Sequence, residues 1–488
     1  MIETLKANLH LALHRQFGPR NEYVNVDQIG LFAVDADAST VIEVLQTGAA
    51  ETDVGQKGSG ESKAPVTRKK AVRVLKDLTR EIVEQDIAEA DKHCSCCGER
   101  LSFMGCDASE HLAYCPASLT IIETRRKKYA CESCHGEVKR AALSKDVPLA
   151  KSMASASLLA FLIVAKYADC LPLYRISKRL ERLGIELSDA LMSDWLIQCA
   201  ALLTDLHRRM IRKVLDSGHV FTDDTTLPLQ NVDPTRRTTT KARLWVYARS
   251  RRRHEPLVVY EFSRSRSQEA PLNLLADYRG YVQADAFPGY DRLFGNPQIQ
   301  EVACWVHCRR KYVEVTELMR EPGRAHEALR FIKELYRIER QIRALSDDER
   351  YAERQARSIP ILKSFKAWLD IQVHAVLPKS ALGTAVLYTL KNWDALCRYT
   401  EAGYLKPDNN YAEQCLRPVA LGRKNFLFVG SERAGHAAAI YYSLVESCKV
   451  NRVNPLTYLT YVLSNVRNKS MTLQTPDEFT ASNIAHVG

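Results

Sequence analysis

The sequence predicts a multidomain α+β protein in which a mixed β-sheet with flanking helices forms the core. Strand-like alternation is confined to residues 217–307, helical periodicity surrounds it at 152–204 and 310–400, and two cysteine pairs precede both. The 488 residues are enough for more than one domain. The hydrophobic share of 46% and the charged share of 26% are typical of a soluble globular protein.

The amino-terminal 79 residues contain few signals of a packed domain. A short helix with leucines at a spacing of four, Leu5, Leu9 and Leu13, lies in the segment 1–34, and a flexible basic linker follows at 35–79. Charged residues interrupt the start of the chain too early for a signal peptide, and no apolar run approaches the roughly 18 residues of a membrane span. We therefore expect a cytoplasmic protein with no membrane partner.

Two CxxC knuckles predict a zinc-binding domain at residues 80–148. Cys94 and Cys97 form the first knuckle, and Cys131 and Cys134 form the second after a spacer of 33 residues. In a chain without an export signal, paired knuckles favour one tetrahedral structural zinc ion over disulfides.

Basic residues are concentrated in two places, and the net charge of the whole chain is +11. Positions 236–266 hold ten Lys and Arg residues against two acids, which favours a phosphate-binding surface but also fits a solvated hairpin. A second basic run directly precedes the second knuckle and indicates contact with nucleic acid. That run consists of Arg125, Arg126, Lys127 and Lys128.

Residues 149–212 are predicted to form a helical DNA-binding segment. The run "ASASLLAFLIVAKYAD" predicts a buried helix, and two further helices are joined around Gly184, with Ser188 or Asp189 as the next N-cap. Two helices around a short glycine turn are typical of a helix-turn-helix, and also of an ordinary helical hairpin, which is commoner.

Five strands are predicted between residues 213 and 309. They are "GHVFTDD", "RLWVYARS", "PLVVYEFS", "YVQADAF" and "QIQEVACWV", and a helix, "SQEAPLNLLADY", separates the third from the fourth. This order matches an RNase H-like fold. Residues 310–405 then form a helical insertion, 406–468 complete the core, and 469–488 are a C-terminal tail.

Three acids lie where these elements end or begin. Asp223 lies in an apolar strand-like run that acids interrupt, Asp285 ends the fourth strand, and Glu413 lies on the turn that opens a helix. Carboxylates at strand ends and on a neighbouring helix can share two divalent metal ions, which stabilise the attacking and leaving oxygens of a phosphoryl transfer. Oxygen ligands suit Mg²⁺, with Mn²⁺ as the alternative, so we expect two such ions in one site.

Each acid also has a structural interpretation. Asp224 adjoins Asp223, and neighbours in a strand face opposite sides, so only one of the two can face a metal. Asp285 could simply begin a turn. Glu413, three residues after Asn410, has the spacing of a capping box.

Basic and metal-binding residue types accompany the acids. The run "CWVHCRRKYVE" holds Cys304 and His307, but two ligands do not close a metal site, so packing and phosphate positioning are favoured. The residues placed to bind DNA phosphates near the acids are Arg309, Arg310, Arg417, Arg423 and Lys424.

Long stretches of the chain resemble one family. The runs "CSCCGERLSFMGCDASEHLAYCPASLTIIETRRKKYACESC" and "AKYADCLPLYRISKRLERLGIELSDALMSDW" resemble the amino-terminal half of insertion-sequence-66 family transposases. The runs "YVQADAFPGYDRLF" and "DNNYAEQCLRPVALGRKNFLFVGSERAGHAAAIYYSLVESCK" resemble the catalytic core of that family. The family's first motif usually contains Asp-Glu-Thr-Pro, which here is Asp223-Asp224-Thr225-Thr226. The tail lacks the family's usual Leu-Leu-Pro-Trp ending, which leaves its role open.

The resemblance implies a DDE transposase with Asp223, Asp285 and Glu413 as its acidic triad. It implies a zinc-binding domain, binding to the terminal inverted repeats and target DNA, and strand transfer by 3′-hydroxyl attack. We further expect a homo-oligomer on nucleoid DNA, with small accessory proteins of the same element as possible partners. The alternatives are an inactive DNA-binding regulator that uses only the zinc and helical segments, and a nuclease that cuts without joining.

Overall fold

The computed structural model describes residues 119–125, 128–130, 138–140, 146–150, 152–230, 238–251, 254–318, 323–468 and 470–479. Several predictions lie outside these ranges: the N-terminal helix, the linker, the four knuckle cysteines, Arg126 and Lys127. For Lys128, only the backbone is described, in a short antiparallel ribbon of β1 (Lys128–Ala130) and β2 (Val138–Arg140). Within the described ranges, none of the helices is long and apolar enough to cross a lipid bilayer.

A five-stranded mixed sheet forms the centre of the fold. Its strands are β3 (His219–Gln230), β4 (Thr239–Arg249), β5 (Leu257–Ser263), β6 (Gly280–Ala284) and β7 (Ile299–Ala303). Their order across the sheet is β5-β4-β3-β6-β7. The first three strands form an antiparallel meander, whereas β6 pairs in parallel with both β3 and β7. Helix α5 (Glu269–Leu275) connects β5 to β6.

The last predicted strand is shorter than the sequence indicated. β7 ends at Ala303, and a helix begins at Trp305, so "CWVH" lies at a helix start and not on a strand. The Trp305 N–H donates to the Pro407 carbonyl (2.9 Å) and not to a neighbouring strand. The bulky apolar residues fit a strand and a helix equally, because a short buried run has no period that distinguishes the two structures.

In the described part of the chain, further helices precede and follow the sheet. In addition to α5 they are α1 (Ala156–Tyr167), α2 (Leu173–Glu181), α3 (Asp189–Leu202) and α4 (Thr204–Leu215) before the sheet, and α12 (Asn410–Phe426), α13 (Glu432–Val450) and α14 (Pro455–Asn465) after it. The predicted turn between α2 and α3 is confirmed. Gly184 has φ +88°, and the Ser188 hydroxyl caps α3 by accepting from the Leu191 N–H (3.3 Å).

Helix α13 covers the exposed edge of strand β5. The Val258 N–H donates to the Ser447 hydroxyl (3.0 Å), and the Tyr260 N–H donates to the Ser443 hydroxyl (2.8 Å). Gly435 allows this approach, because a Cβ there would lie 2.6 Å from the Phe262 ring. The serines therefore satisfy donors that an open sheet edge would leave unpaired.

Residues 305–401 form a helical region with its own apolar core. Its helices are α6 (Trp305–Leu318), α7 (Arg324–Gln341), α8 (Asp347–Glu353), α9 (Ile359–Ala375), α10 (Ala381–Lys391) and α11 (Trp393–Cys397), with a π-helical turn at Arg354–Ser358 and a 3₁₀ turn at Arg398–Glu401. The fully buried Arg354 pairs with Glu339 and donates to the carbonyls of Tyr399, Ala402 and Leu405. This arginine fixes the chain just before it returns to the sheet.

The tail docks on α4 and β4 through ion pairs. Lys213 Nζ donates to Asp477 Oδ2 (2.7 Å) and Glu478 Oε1 (2.7 Å), and Arg249 Nη2 donates to the same Asp477 oxygen (2.9 Å). Phe479 packs edge-on against Tyr458 of α14, with ring centroids 5.3 Å apart. The described part of the tail is thus integrated into the fold.

Candidate active site

The strand register brings Asp223 and Asp285 to the same level of the sheet. Strands β3 and β6 pair in parallel up to Phe221 opposite Gln283. Asp223 and Asp285 each lie two residues beyond that last pair. Since neighbouring strands are about 4.8 Å apart, the two carboxylates project from adjacent positions.

Helix α12 starts beside the same point because its leading segment is hydrogen-bonded to the sheet. The Asn409 side chain donates to the Thr222 carbonyl (2.9 Å), next to Asp223 in β3. The Gln283 amide of β6 donates to the carbonyls of Lys406 (2.6 Å) and Asp408 (2.9 Å). The helix that follows therefore places Glu413, on its first turn, close enough to Asp223 for its charge to act on that carboxyl.

The structure distinguishes the two neighbouring aspartates of β3. Asp224 accepts from Arg243 Nη1 (2.9 Å) and from Arg266 Nε (2.8 Å), and its side chain is only 1% exposed. Asp223 instead accepts the Asp224 N–H through Oδ1 (2.7 Å). Asp224 is therefore a structural ion-pair partner, and Asp223 is the one that faces the other acids.

The environment of Asp223 disfavours its charged form. Burial, followed by the negative charges of Asp285 and Glu413, raises the pKa of Asp223 to about 8. Burial also raises the pKa of Asp285, against the opposing effect of the nearby Arg266 guanidinium. Crowded acids with raised pKa values are typical of sites that bind cations or transfer protons.

Arg266 lies at the border of this acidic cluster. Its Nη2 is 3.9 Å from Asp285 Oδ2, while its Nε holds Asp224. Its guanidinium lies 3.6 Å from the centre of the Phe287 ring, so stacking fixes its plane.

The structural interpretation of Glu413 does not hold. Helix α12 begins one residue earlier than the capping-box spacing required, with Asn409 as N-cap, and the Asn409 side chain makes no capping hydrogen bond within the described residues. Asn409 uses its amide to hold β3 instead. Glu413 Oε1 lies 3.8 Å from Nε2 of His307.

His307 and Cys304 complete a small cluster with Glu413. One ligand atom from each residue lies within 4.8 Å of the others. Burial, followed by the charges of Arg310 and Lys311, lowers the pKa of His307 to about 4, so its imidazole is neutral. The Cys304 sulfur accepts the Asn409 N–H (3.3 Å), which ties the start of α6 to the start of α12.

The donor set fits hard divalent cations. Asp223, Asp285 and Glu413 supply carboxylate oxygens, the ligands that Mg²⁺ prefers. Oδ1 of Asp285 is buried and has no hydrogen-bond partner in the described part of the chain. A buried, unpaired carboxylate oxygen is costly unless a cation or water satisfies it, which agrees with a cation site here.

The predicted DNA-binding residues have different environments. Arg310, Arg417 and Lys424 are exposed and Arg309 is half-buried, whereas Arg423 is committed to β3 through Thr225 Oγ1 (2.9 Å). Arg125 is exposed and pairs with Glu123 (2.8 Å).

Part of the basic segment at 236–266 is engaged in ion pairs. Half of its ten basic residues are paired with acids, two of them with the same aspartate. The paired residues are Arg243, Arg249, Arg251, Arg264 and Arg266. Nothing local in the sequence indicated these pairs, because most of the partner acids come from distant parts of the chain. Phosphate binding by this segment stays a prediction.

Sequence reasoning missed three residues that position the acids: Arg243, Arg266 and Asn409. A second acid next to Asp223 was a signal that arginines would be needed nearby. Asn409 was visible only as one of several polar residues before a helix, and nothing local predicted its bond to Thr222.

Comparison with known proteins gives concordant results. Residues 151–437 match the transposase IS66 family, 91–135 match the zinc-finger binding domain of transposase IS66, and 443–473 match the IS66 C-terminal element. The uncharacterised protein y4jD of Sinorhizobium fredii is 32% identical over 418 residues, covering 83% of this chain and 81% of that protein. Protein y4qI of the same organism is 31% identical over 479 residues, covering 95% of this chain and 86% of that protein.

Proposed function

This chain belongs to the IS66 family of transposases, and on that basis we propose that it binds the terminal inverted repeats of its element and catalyses DNA cleavage and strand transfer. The chemistry is a two-metal phosphoryl transfer in an RNase H-like core. The sheet order supports this core, since an antiparallel meander is followed by two strands parallel to its first strand. The helical region at 305–401 is then an insertion in that core.

The observation that carries the proposal is the convergence of three acids from β3, the end of β6 and α12. Asp223, Asp285 and Glu413 would hold two Mg²⁺ or Mn²⁺ ions. Such ions lower the pKa of an attacking hydroxyl and stabilise the departing oxygen. The protein's own contribution is to hold the three carboxylates together before any cation binds.

That contribution depends on the contacts around the acids. Asn409 and the Gln283 amide fix the start of α12 against β3 and β6. Asp224 keeps Arg243 and Arg266 in place, so a positive charge borders the acids without neutralising Asp223. The exposed Arg417 and Lys424 on α12 would bind DNA backbone phosphates.

The zinc domain contributes to DNA binding in this proposal. Cys94, Cys97, Cys131 and Cys134 would hold one structural zinc ion per chain. Metal analysis of the purified protein should find one zinc, and the Cys94→Ser/Cys131→Ser double variant should have lost it. Undiminished zinc in the double variant would refute the ligand assignment.

A strand-transfer assay on inverted-repeat DNA tests the proposed chemistry. Asp285→Asn should abolish cleavage and joining but leave DNA binding close to wild type, because phosphate contacts come from Lys and Arg. Asp291→Asn, a substitution of an exposed aspartate six residues downstream, is the matched control and should retain activity. Equal activity in wild type and Asp285→Asn would end the triad assignment. Cleavage without joining by the wild-type protein would indicate a nuclease instead of a transposase.

A further inference from the structure

A histidine faces Glu413 across the site. His307 lies on the first turn of α6, and its Nε2 is 3.8 Å from Glu413 Oε1. Nδ1 of His307 is buried without a hydrogen-bond partner in the described part of the chain. The ring is thus not committed there to another donor or acceptor.

The 3.8 Å between His307 Nε2 and Glu413 Oε1 is too long for a hydrogen bond. It is within the span of a single ion, since two metal–ligand bonds of about 2.1 Å can bridge up to about 4.2 Å. A nitrogen and a carboxylate oxygen at this distance can therefore bind the same cation without moving apart.

The two helix starts that carry these groups are held together by bonds that do not involve them. The Trp305 N–H donates to the Pro407 carbonyl (2.9 Å), and the Asn409 N–H donates to the Cys304 sulfur (3.3 Å). The distance between His307 and Glu413 is consequently built into the backbone. Preorganised donors of this kind lose little freedom when an ion binds.

Cys304 has a different part in the cluster. Its sulfur lies near both ligand atoms, but it is fully buried and accepts the Asn409 N–H. We assign it to positioning the two helices, and not to the cation.

We infer that His307 is a nitrogen ligand of the divalent cation held by Glu413, which makes this end of the site a mixed nitrogen–oxygen site that favours Mn²⁺ over Mg²⁺. The inference rests on the proposed function, because it assumes that Glu413 binds a cation. Imidazole suits transition metals, whereas Mg²⁺ prefers oxygen ligands. The part of the site formed by Asp223 and Asp285 has carboxylate ligands alone and should not prefer Mn²⁺ in this way.

Pulsed electron paramagnetic resonance of bound Mn²⁺ tests this directly. The experiment uses the full-length, zinc-loaded, tag-free protein without DNA, with Mn²⁺ as the probe. The zinc ion is diamagnetic and gives no signal. We expect echo modulation from a directly bound imidazole nitrogen in the wild type, and a changed pattern when histidine is labelled with ¹⁵N. The labelled wild type needs no substitution, so the result does not depend on how a variant folds.

Substitution gives the second readout. His307→Gln should remove the nitrogen modulation and weaken Mn²⁺ binding about tenfold relative to Mg²⁺, measured by competition. His374→Gln, at an exposed histidine on α9, is the matched control and should change neither. Cys304→Ser should keep the modulation.

The outcomes separate the inference from the proposed function. Mn²⁺ that binds and supports strand transfer but gives no nitrogen modulation would overturn the role of His307 alone. Modulation that persists in His307→Gln would do the same. If Mn²⁺ binds neither the wild type nor His374→Gln, both the role of His307 and the proposed metal-dependent function are contradicted.

Discussion

Two acidic clusters in this protein have opposite charge environments. In the tail, Asp477 and Glu478 are surrounded by Lys213, Arg249 and Arg209. Burial acts to raise the pKa of Glu478, but the hydrogen bonds from Lys213 and the Thr475 N–H lower it to about 2.

In the proposed active site, acids lie near one another. Asp223, Asp285 and Glu413 converge with Arg266 as a partial counter-ion at 3.9 Å from Asp285, and the pKa of Asp223 rises to about 8. The basic neighbours in the tail lower the pKa of Glu478 against the effect of burial, whereas burial and the acidic neighbours in the site raise the pKa of Asp223. This difference separates an acid that holds the fold together from one that is available to a cation.

The largest expected difference is between two neighbouring acids of the site, Asp223 and Asp224, each replaced by asparagine. Asp223→Asn should reduce strand transfer on the order of a thousandfold, because metal stabilisation of transition-state charge is worth several kcal/mol. Asp224→Asn should destabilise the fold by about 2 kcal/mol or more, since it leaves two arginines without their carboxylate. Strand-transfer rates and urea denaturation measure the two effects. The same loss of chemistry in both variants, with unchanged stability, would show that the two acids do not differ in role.

In the tail, neutralising an acid should reduce the stability of the fold. Asp477→Asn should lower the free energy of unfolding by about 3 kcal/mol, because Asp477 and Arg249 are both about 6% exposed and breaking a buried pair leaves a charge uncompensated. Urea denaturation measures the loss. Glu478→Gln is the matched control, and its effect should be smaller because the side chain is 38% exposed. An unchanged midpoint for Asp477→Asn would mean that the tail does not stabilise the core.

The pH dependence of stability without divalent cations gives a further test of the site acids. The folded-state pKa of Asp223, about 8, lies above its unfolded value of about 4. The folded protein therefore keeps a proton that the unfolded chain releases, and this contribution to stability is lost as pH rises from about 4 to about 8. Asp223→Asn should match wild type near pH 4, and its advantage in melting temperature should grow up to pH 8 and stay constant above it. Parallel curves for the two proteins would contradict the raised pKa.

The sequence predicted the main elements because their signals are local. Alternation located β3 to β6, and Gly184 and Ser188 marked the turn into α3. Asp285 follows the end of β6 as expected, whereas β3 continues past Asp223 to Gln230. The boundary at Trp305 was missed because a buried apolar run fits a strand or a helix equally.

The partners of the acids could not be predicted for a different reason. Arg243 and Arg266 reach Asp224 from 19 and 42 residues away. Glu413 approaches His307 only after the helical region returns to β6 and β7. These contacts depend on tertiary packing, for which one sequence gives no local pattern. The roles of the three acids remain predictions.

Iron-mediated cleavage of the polypeptide tests most directly whether the three acids form one cation site. Fe²⁺ is added in place of Mg²⁺ to the full-length protein, peroxide and ascorbate are supplied, and the fragments are mapped by mass. We expect cuts near residues 223, 285 and 413 together, all suppressed by excess Mg²⁺ and all absent in Asp223→Asn. Cuts at only one of these positions, or cuts that Mg²⁺ does not suppress, would contradict a shared cation site.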